Sequence, residues 1–347
     1  MTTTDAPAST AAFDIRLPYL VFLGAARSDL DAKTAFGVRD WRPEACVGQW
    51  ALPGGRVDLG LPPLAPAAAR AAGARTLLIG VAPVGGQIDT AWVPALVEAL
   101  DAGLDLASGM HTRLGSVEAI RLAAERGGRA LHDIRHSESR FPVGTGIKRS
   151  GKRLLTVGTD CALGKKYTAL ALARAFHDSG HKATFRATGQ TGIMISGGGI
   201  ALDAVVADFI AGAAEALSPP NDADHWDIVE GQGSLFHPGY AGVSLGLLHG
   251  SQPDVLILCH DPFRREIDGH PGFAIPPLAE VIALNVQMAR RTNPAALCPA
   301  IALNTSRVGT EEGERLLRDH EQRHGLPTFD PMRSDLRPIV DLLVASC

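Results

Sequence analysis

The sequence predicts an α/β protein with two domains, each built on a parallel sheet. Three observations lead to this prediction. Short apolar runs alternate with longer segments of helical periodicity, as in parallel sheets covered by helices. A glycine-rich loop carrying a lysine interrupts the alternation once, near the middle of the chain. The length of 347 residues also exceeds what one hydrophobic core usually supports, about 250 to 300 residues.

The first half of the chain predicts an N-terminal Rossmann-like domain over residues 14–143, preceded by a disordered tail at 1–13. Short buried runs predict its strands, and helical spacing predicts its helices. The predicted strands are 19–24, 46–48, 76–81 and 105–109, and the predicted helices are 65–72, 92–102 and 116–126.

Residues 144–152 predict a linker, because this region is rich in glycine and basic side chains. A C-terminal domain of the P-loop NTPase-like α/β class is then expected over 153–347. Its predicted strands are 153–157, 184–187, 227–230, 255–259 and 300–304, and its predicted helices are 166–179, 202–217, 277–291 and 310–324. Residues 236–250 predict a glycine-punctuated loop.

The most informative segment follows the predicted strand 153–157. It contains two glycines and a lysine and leads directly into a helical pattern. This order places backbone N–H groups, the helix dipole and an ammonium where they can face a phosphate. The sequence therefore predicts a site for a nucleotide or a nucleotide-containing cofactor. The residues expected to contact it are Gly158, Thr159, Asp160, Cys161, Ala162, Leu163, Gly164, Lys165, Lys166 and Tyr167.

The loop departs from the common Walker A pattern in two ways. It has one extra residue between its glycines, and Lys166 stands where Ser or Thr normally ligates magnesium. A second ammonium would repel a divalent cation and could itself neutralise a diphosphate. The loop therefore suits a metal-poor diphosphate at least as well as Mg-ATP, although Thr168 could still reach a metal. Cys161 is either a thiolate nucleophile or a small residue that fills the loop.

Glu230 is the first candidate catalytic residue, because it ends the predicted strand 227–230. In phosphate-loop folds an acidic residue at this place faces the phosphates and holds magnesium, a water or a substrate proton. The alternative is a solvated glutamate. His237 and His249 follow it and offer imidazoles for proton transfer near neutral pH, or they are ordinary packed or surface histidines.

Three further groups end predicted strands. Gln190 and Thr191 follow strand 184–187 and are expected to face the same crevice, or to serve only chain reversal. Asn304 ends strand 300–304, where its amide either binds the adenine edge of the cofactor or caps the turn. His260 and Asp261 follow strand 255–259 and are weaker candidates.

Composition narrows the classes of function. Hydrophobic residues make up 46% and charged residues 20%, and the formal charge of −4 gives no sign of a nucleic-acid or membrane partner. The five cysteines are scattered without C-x-x-C spacing, and we predict neither a disulfide framework nor a metal site. The start lacks the pattern of a signal peptide, and we expect a cytoplasmic enzyme that forms a homo-oligomer and acts on small molecules.

Two families share motifs with this chain. Gly158 to Lys165 together with Val229-Glu230-Gly231 resembles the nucleotide motifs of dethiobiotin synthetase. A longer resemblance, to the DgcN family of D-amino-acid N-acetyltransferases, covers nearly the whole chain after the tail. The segments that carry it are 31–34, 108–112, 188–192, 206–215, 229–238 and 246–254.

The DgcN resemblance implies transfer of an acetyl group from acetyl-CoA to the amine of D-glutamate or a related D-amino acid, in D-amino-acid catabolism. It also implies an N-terminal Rossmann-like and a C-terminal phosphate-loop domain. Coenzyme A contains an ADP moiety, so the loop could hold its diphosphate without hydrolysing it.

The roles of individual residues are our own inference. We expect Glu230 or His237 as base, and loop amides or His249 as donors to the oxyanion. The cations expected to bind the substrate carboxylates are Lys33, Arg264 and Arg307. The alternatives are a Mg-ATP-dependent ligase or kinase of the dethiobiotin-synthetase type, and a nucleotide-binding regulator without catalysis.

Overall fold

The computed structural model describes residues 13–83, 85–136 and 140–347. These residues form two compact units. The N-terminal unit takes the described residues up to His136 together with Gln190–Ala204, and the C-terminal unit takes Arg140–Gly189 and Val205–Cys347. Most of the predicted tail, residues 1–12, lies outside the described residues. The predicted linker 144–152 falls within the C-terminal unit, and the boundaries proposed from the sequence stay a prediction.

Strands and helices alternate along most of the chain. The strands are β1 Tyr19–Gly24, β2 Cys46–Ala51, β3 Thr76–Ile79, β4 Asp105–Ser108, β5 Leu131–Asp133, β6 Lys152–Gly158, β7 Ala183–Arg186, β8 Trp226–Val229, β9 Val255–His260, β10 Leu297–Leu303 and β11 Thr328–Phe329. The helices are α1 Lys33–Trp41, α2 Pro66–Ala71, α3 Val93–Asp101, α4 Glu118–Gly127, α5 Lys165–Asp178, α6 Gln190–Ser196, α7 Ile210–Leu217, α8 Ala241–Ser251, α9 Leu278–Ala289, α10 Thr310–His324 and α11 Arg337–Ala345.

The N-terminal sheet is parallel throughout, with strand order β2-β1-β3-β4-β5. Its central strands are buried along their whole length, as expected for a sheet covered on both faces. Phe22 on β1 packs against the rings of Trp50 and Trp92, with centroid distances of 5.6 and 5.9 Å. Helix α6 belongs to this unit, where the hydroxyl of Tyr19 donates to the carbonyl oxygen of Met194.

The C-terminal sheet is also parallel, with strand order β11-β10-β9-β6-β8-β7. A core that includes Leu154, Phe176, Trp226 and Ile257 packs around it. Because β6 lies between β9 and β8, the segments that follow these three strands emerge side by side at one edge of the sheet. Two parallel sheets with helices confirm the predicted α/β class and domain types. Among the helices of the described residues, none has both the length and the hydropathy needed to span a bilayer.

Two predictions about local structure were wrong. Residues 241–250 of the predicted loop belong to helix α8, and the predicted helix 202–217 is broken into two short 3₁₀ turns followed by α7. The glycines of α8 explain the first error, since they allow close packing rather than breaking the helix. A Cβ atom on Gly250 would lie 2.2 Å from the carbonyl oxygen of Ala211 on α7. For the second, the chain passes from one unit to the other at Val205, inside the predicted helix.

The α7–α8 contact generates a stability prediction. We expect Gly250→Ala to lower the free energy of unfolding by about 1 to 3 kcal/mol, because the added methyl group overlaps the backbone of α7. Gly242→Ala in the same helix is the matched control, since it is exposed and a Cβ there has no neighbour within 4 Å. The control should be neutral or stabilising by up to about 1 kcal/mol. Urea unfolding of both variants tests this, and equal midpoints would contradict it.

Candidate functional site

The phosphate loop connects β6 to α5. Gly164, directly before the helix, has a φ of 119°, which glycine tolerates far better than other residues. Ala162 also lies in the left-handed region, with a φ of 51°, although it carries a Cβ atom. Strained backbone of this kind is concentrated at ligand-binding loops. The loop therefore has the strand, the turn and the helix N-terminus that the sequence predicted.

Lys165 is the central cation of the loop. Its side chain is only 7% exposed, and burial lowers the pKa of its ammonium group. Nζ donates to the carbonyl oxygen of Asp160 at 2.6 Å, and no carboxylate among the described residues forms an ion pair with it. A buried ammonium whose partner is a neutral carbonyl is electrostatically under-compensated. An anionic ligand at the loop would supply the missing negative charge.

The carboxylate of Asp160 is fully buried and joins two segments. It accepts hydrogen bonds from the backbone N–H groups of Cys161 at 2.6 Å and Asp268 at 2.9 Å. Its ion pair with Arg264 is 2.7 Å long, and the same guanidinium nitrogen donates to the carbonyl of Cys161 at 2.7 Å. Residues 261–275 are therefore tied to the phosphate loop. Arg264, which we expected to bind a substrate carboxylate, already neutralises Asp160.

Lys166 occupies the position of the usual magnesium ligand, and Thr168 lies two residues further along the chain. The ammonium of Lys166 lies 5.1 Å from the ring centroid of Tyr167. The hydroxyl of Thr168 donates to the carbonyl of Gly164 at 3.1 Å and lies 3.4 Å from the thiol of Cys259. Thr168 is 1% exposed, so its hydroxyl serves the packing of α5 rather than facing the loop opening.

Glu230 is buried at the end of β8, not solvated. One carboxylate oxygen, Oε2, accepts hydrogen bonds from the backbone N–H groups of Thr188 at 3.0 Å and Gly189 at 3.2 Å. The Thr188 hydroxyl donates to the Glu230 carbonyl at 2.7 Å and accepts from Gln232 at 3.0 Å. The next residue, Gly231, packs so closely on the stem of Lys165 that a Cβ atom there would lie 3.0 Å from it. The carboxylate and the phosphate loop thus share one edge of the sheet.

His237 lies beside the phosphate loop. Its side chain is 3% exposed, and Nδ1 accepts hydrogen bonds from the backbone N–H groups of Gly239 at 3.0 Å and Tyr240 at 3.2 Å. One ring nitrogen, a carboxylate oxygen of Asp160 and the sulfur of Cys161 all lie within 4.8 Å of one another. Burial lowers the pKa of the imidazole, although Asp160 opposes that shift.

His249 occupies a different place, at the C-terminal end of α8. Burial lowers the pKa of this imidazole, while a hydrogen bond with the backbone of Met288 on α9 opposes the shift. Its Nε2 atom is buried and has no partner among the described residues. Ser244, near the start of the same helix, donates to the carbonyl of Gln232 at 2.7 Å. The structure therefore brings His237, and not His249, to the phosphate loop.

The other strand-end residues lie on the β9 and β10 side of the loop. The hydroxyl of Thr159 lies 3.0 Å from Nδ1 of His260, whose pKa is lowered to about 4 by burial and by nearby His320. Arg307 is largely exposed and lies 3.4 Å from the carboxylate of Asp261. The side-chain oxygen of Asn304 accepts from the backbone N–H of Ser306 at 3.1 Å, which is the capping arrangement. Its contact with adenine stays a prediction.

Three predicted substrate-binding residues belong to the N-terminal unit. Lys33 is exposed at the first position of α1. The hydroxyl of Thr191 lies 3.0 Å from that of Thr34. The Gln190 amide is satisfied when its nitrogen donates to the Gly109 carbonyl at 3.0 Å and its oxygen accepts from Arg135 at 3.2 Å. Arg135 could not be selected from the sequence, since its partners are distant in the chain.

Comparison with known proteins identifies both halves of the chain. Residues 142–340 match the family model "Domain of unknown function (DUF1611_C) P-loop domain". Residues 44–137 match "Domain of unknown function (DUF1611_N) Rossmann-like domain". The crystal structure of a DUF1611 family protein from Anabaena variabilis superposes with a TM-score of 0.84 at 31% identity, covering 94% of this chain and 99% of that one.

Two curated relatives carry the name "D-glutamate N-acetyltransferase". The protein from Tritonibacter scottomollicae is 50% identical over 331 residues, which are 95% of this chain and 99% of the relative. The protein from a Pseudoalteromonas species is 45% identical over 326 residues, which are 94% of this chain and 98% of the relative.

The position of Lys165 generates a binding prediction. Lys165→Ala should weaken the binding of ADP or CoA by about 1.5 to 3 kcal/mol, because it removes a charge-assisted contact to the diphosphate. Lys182→Ala is the control, since that lysine is exposed and pairs with Asp222 and Asp224. Calorimetric titration measures both affinities. Unchanged affinity in the Lys165 variant would remove the loop from the binding site.

Proposed function

The chain belongs to the DUF1611 family, and we propose that it is an enzyme that acetylates the amine of D-glutamate. The observation that carries this proposal is the match of nearly the whole chain to two relatives named for that activity. The match includes the phosphate loop and the Glu230 region, so it covers the residues that the geometry brings together. The enzyme is accordingly an acyltransferase.

We propose acetyl-CoA as the acetyl donor. The support for this proposal is Lys165, a buried ammonium in the loop that has no carboxylate partner among the described residues and could neutralise the diphosphate of the donor. Lys166 replaces the hydroxyl that would ligate magnesium, and Thr168 donates its hydroxyl to the Gly164 carbonyl. Both features favour neutralising the diphosphate with ammonium groups. Acetyl transfer leaves that diphosphate intact, so the loop needs only to bind it.

The reaction forms one bond and breaks one. The nitrogen lone pair of D-glutamate attacks the thioester carbonyl, the C–N bond forms, and the C–S bond breaks to release the CoA thiolate. The substrate ammonium loses two protons in total, of which one reaches the thiolate and the other is released to solvent. A base must remove the first proton before the lone pair can attack. Donors to the carbonyl oxygen stabilise the tetrahedral intermediate.

Glu230 is the base that we propose. Its carboxylate is buried, and the backbone N–H groups of Thr188 and Gly189 hold one oxygen in a fixed place. A base fixed in this way keeps its orientation through the reaction without help from the substrate. Among the cations expected to bind the substrate carboxylates, Lys33 and Arg307 are exposed, whereas Arg264 would first have to leave Asp160.

The activity itself is directly testable. Purified protein should form N-acetyl-D-glutamate from acetyl-CoA and D-glutamate with a chelator present and ATP absent, and released thiol should equal product one for one. L-Glutamate serves as the stereochemical control. If thiol release stays at background for a panel of D-amino acids while Mg-ATP is consumed, the enzyme is a ligase or kinase instead. Nucleotide binding without any turnover would indicate a regulator.

The role of Glu230 has its own test. Glu230→Gln should lower kcat by about 10² or more, because it removes the basic oxygen. Glutamine keeps a carbonyl oxygen that can accept from Thr188 and Gly189, so the fold and the affinity for CoA should change little. Glu280→Gln on α9, an exposed position, is the control. Turnover at the parent rate would show that the Glu230 carboxylate is structural.

A further inference from the structure

The hydrogen bonds of His237 fix which of its ring nitrogens carries the proton. Nδ1 accepts from two backbone N–H groups, those of Gly239 and Tyr240. An Nδ1–H group would place its proton against both of these donors, so Nδ1 must keep its lone pair. A neutral imidazole has one proton, and that proton is therefore on Nε2. The doubly protonated ring is opposed by the same two donors.

This tautomer decides between two roles for the Asp160, Cys161 and His237 cluster. Its ligand atoms lie close enough for a metal ion. A histidine binds a metal through a nitrogen lone pair, however, and the lone pair of this ring is already directed at two N–H groups. Nε2 carries a proton and cannot ligate without losing it. The cluster is thus better arranged to present an N–H donor than to hold a metal.

The His237 ring lies beside the phosphate loop, since one of its nitrogens is within 4.8 Å of a carboxylate oxygen of Asp160 and of the sulfur of Cys161. Lys165, Asp160 and His270 are the charged or titratable groups that act on the His237 ring. The ring packs between Tyr240, at a centroid distance of 4.4 Å, and His270, at 4.8 Å, which hold its plane. His237 is 3% exposed, its Nε2 atom remains accessible, and none of the described residues accepts a hydrogen bond from that atom. An accessible N–H donor beside the loop is free to donate a charge-assisted hydrogen bond to an anionic ligand.

We propose that His237 is a fixed Nε2–H donor to a negatively charged oxygen of the ligand at the phosphate loop, and not a proton acceptor. That oxygen belongs either to the diphosphate or to the reacting carbonyl of the thioester. The second source rests on the proposed acetyl transfer, whereas the first needs only that the loop binds a diphosphate. In both cases His237 is not the base, and Glu230 is the candidate base that remains.

The tautomer is measured without turnover, so a failure of acetyl transfer leaves this test intact. Long-range ¹H–¹⁵N correlation spectra of protein with ¹⁵N-labelled histidine separate the two neutral tautomers from the charged ring, and comparison with His237→Gln assigns the signal. We expect the Nε2–H tautomer, with the Nε2 signal shifting on addition of ADP if the diphosphate is the acceptor. An Nδ1–H tautomer, or a charged ring at neutral pH, would overturn the proposal.

Two substitutions separate a donor from a base. His237→Gln keeps an N–H donor near the position of Nε2, and His237→Met removes it at similar volume. If the diphosphate is the acceptor, the Met variant should bind ADP about tenfold more weakly. If the carbonyl is the acceptor, ADP affinity should be unchanged and kcat should fall with little change in KM.

In either case the Gln variant should recover part of the loss. Equal and complete loss of activity in both variants, with parent ADP affinity, would identify a base and overturn the proposal. His177→Gln, whose side chain is 83% exposed on α5, is the control, and thermal melting verifies that all variants fold.

Discussion

The buried carboxylate of Asp160 is the interaction on which the candidate site depends. It receives one guanidinium and two backbone N–H groups, and these donors come from the phosphate loop and from residues 261–275. A buried carboxylate is tolerated only when it is neutralised and hydrogen bonded. The loop and the segment after β9 are therefore held together by this one carboxylate. Lys165 depends on it too, because its ammonium is bound to the carbonyl of the same residue.

The order of strands in the C-terminal sheet then determines which functional side chains lie beside the phosphate loop. Placing β6 between β8 and β9 brings Glu230 to one side of the loop and His260 to the other. Helix α8 begins soon after Glu230, and the turn that precedes it carries His237. The backbone holds the polar groups in place in each case: N–H groups bind the Glu230 carboxylate and the His237 ring. Such contacts are formed before any ligand arrives, which is what a preorganised site requires.

The sequence predicted those parts of the site that are contiguous in the chain. The phosphate loop and the carboxylate after β8 each follow an apolar run. Short-range patterns of this kind can be recognised in the sequence because they do not depend on tertiary contacts. The pairing of Asp160 with Arg264 could not be predicted, because it joins residues 104 apart. The tautomer of His237 depends on the turn from His237 to Tyr240, and α8 was missed because its glycines, which allow packing against α7, were interpreted as loop residues. Which unit holds Gln190–Ala204 depends on tertiary contacts that no local pattern encodes.

The path of the chain through the two units has a consequence for biosynthesis. Helix α6 supplies Ile193 and Met194, both fully buried, to the N-terminal unit. The ribosome, however, makes β6, the phosphate loop, α5 and β7 before it reaches α6. The apolar residues of the N-terminal unit that α6 covers therefore stay exposed until residue 204 has left the exit tunnel. The N-terminal unit can therefore complete its fold only after part of the C-terminal unit has been made, and neither unit can be excised intact as a single uninterrupted fragment.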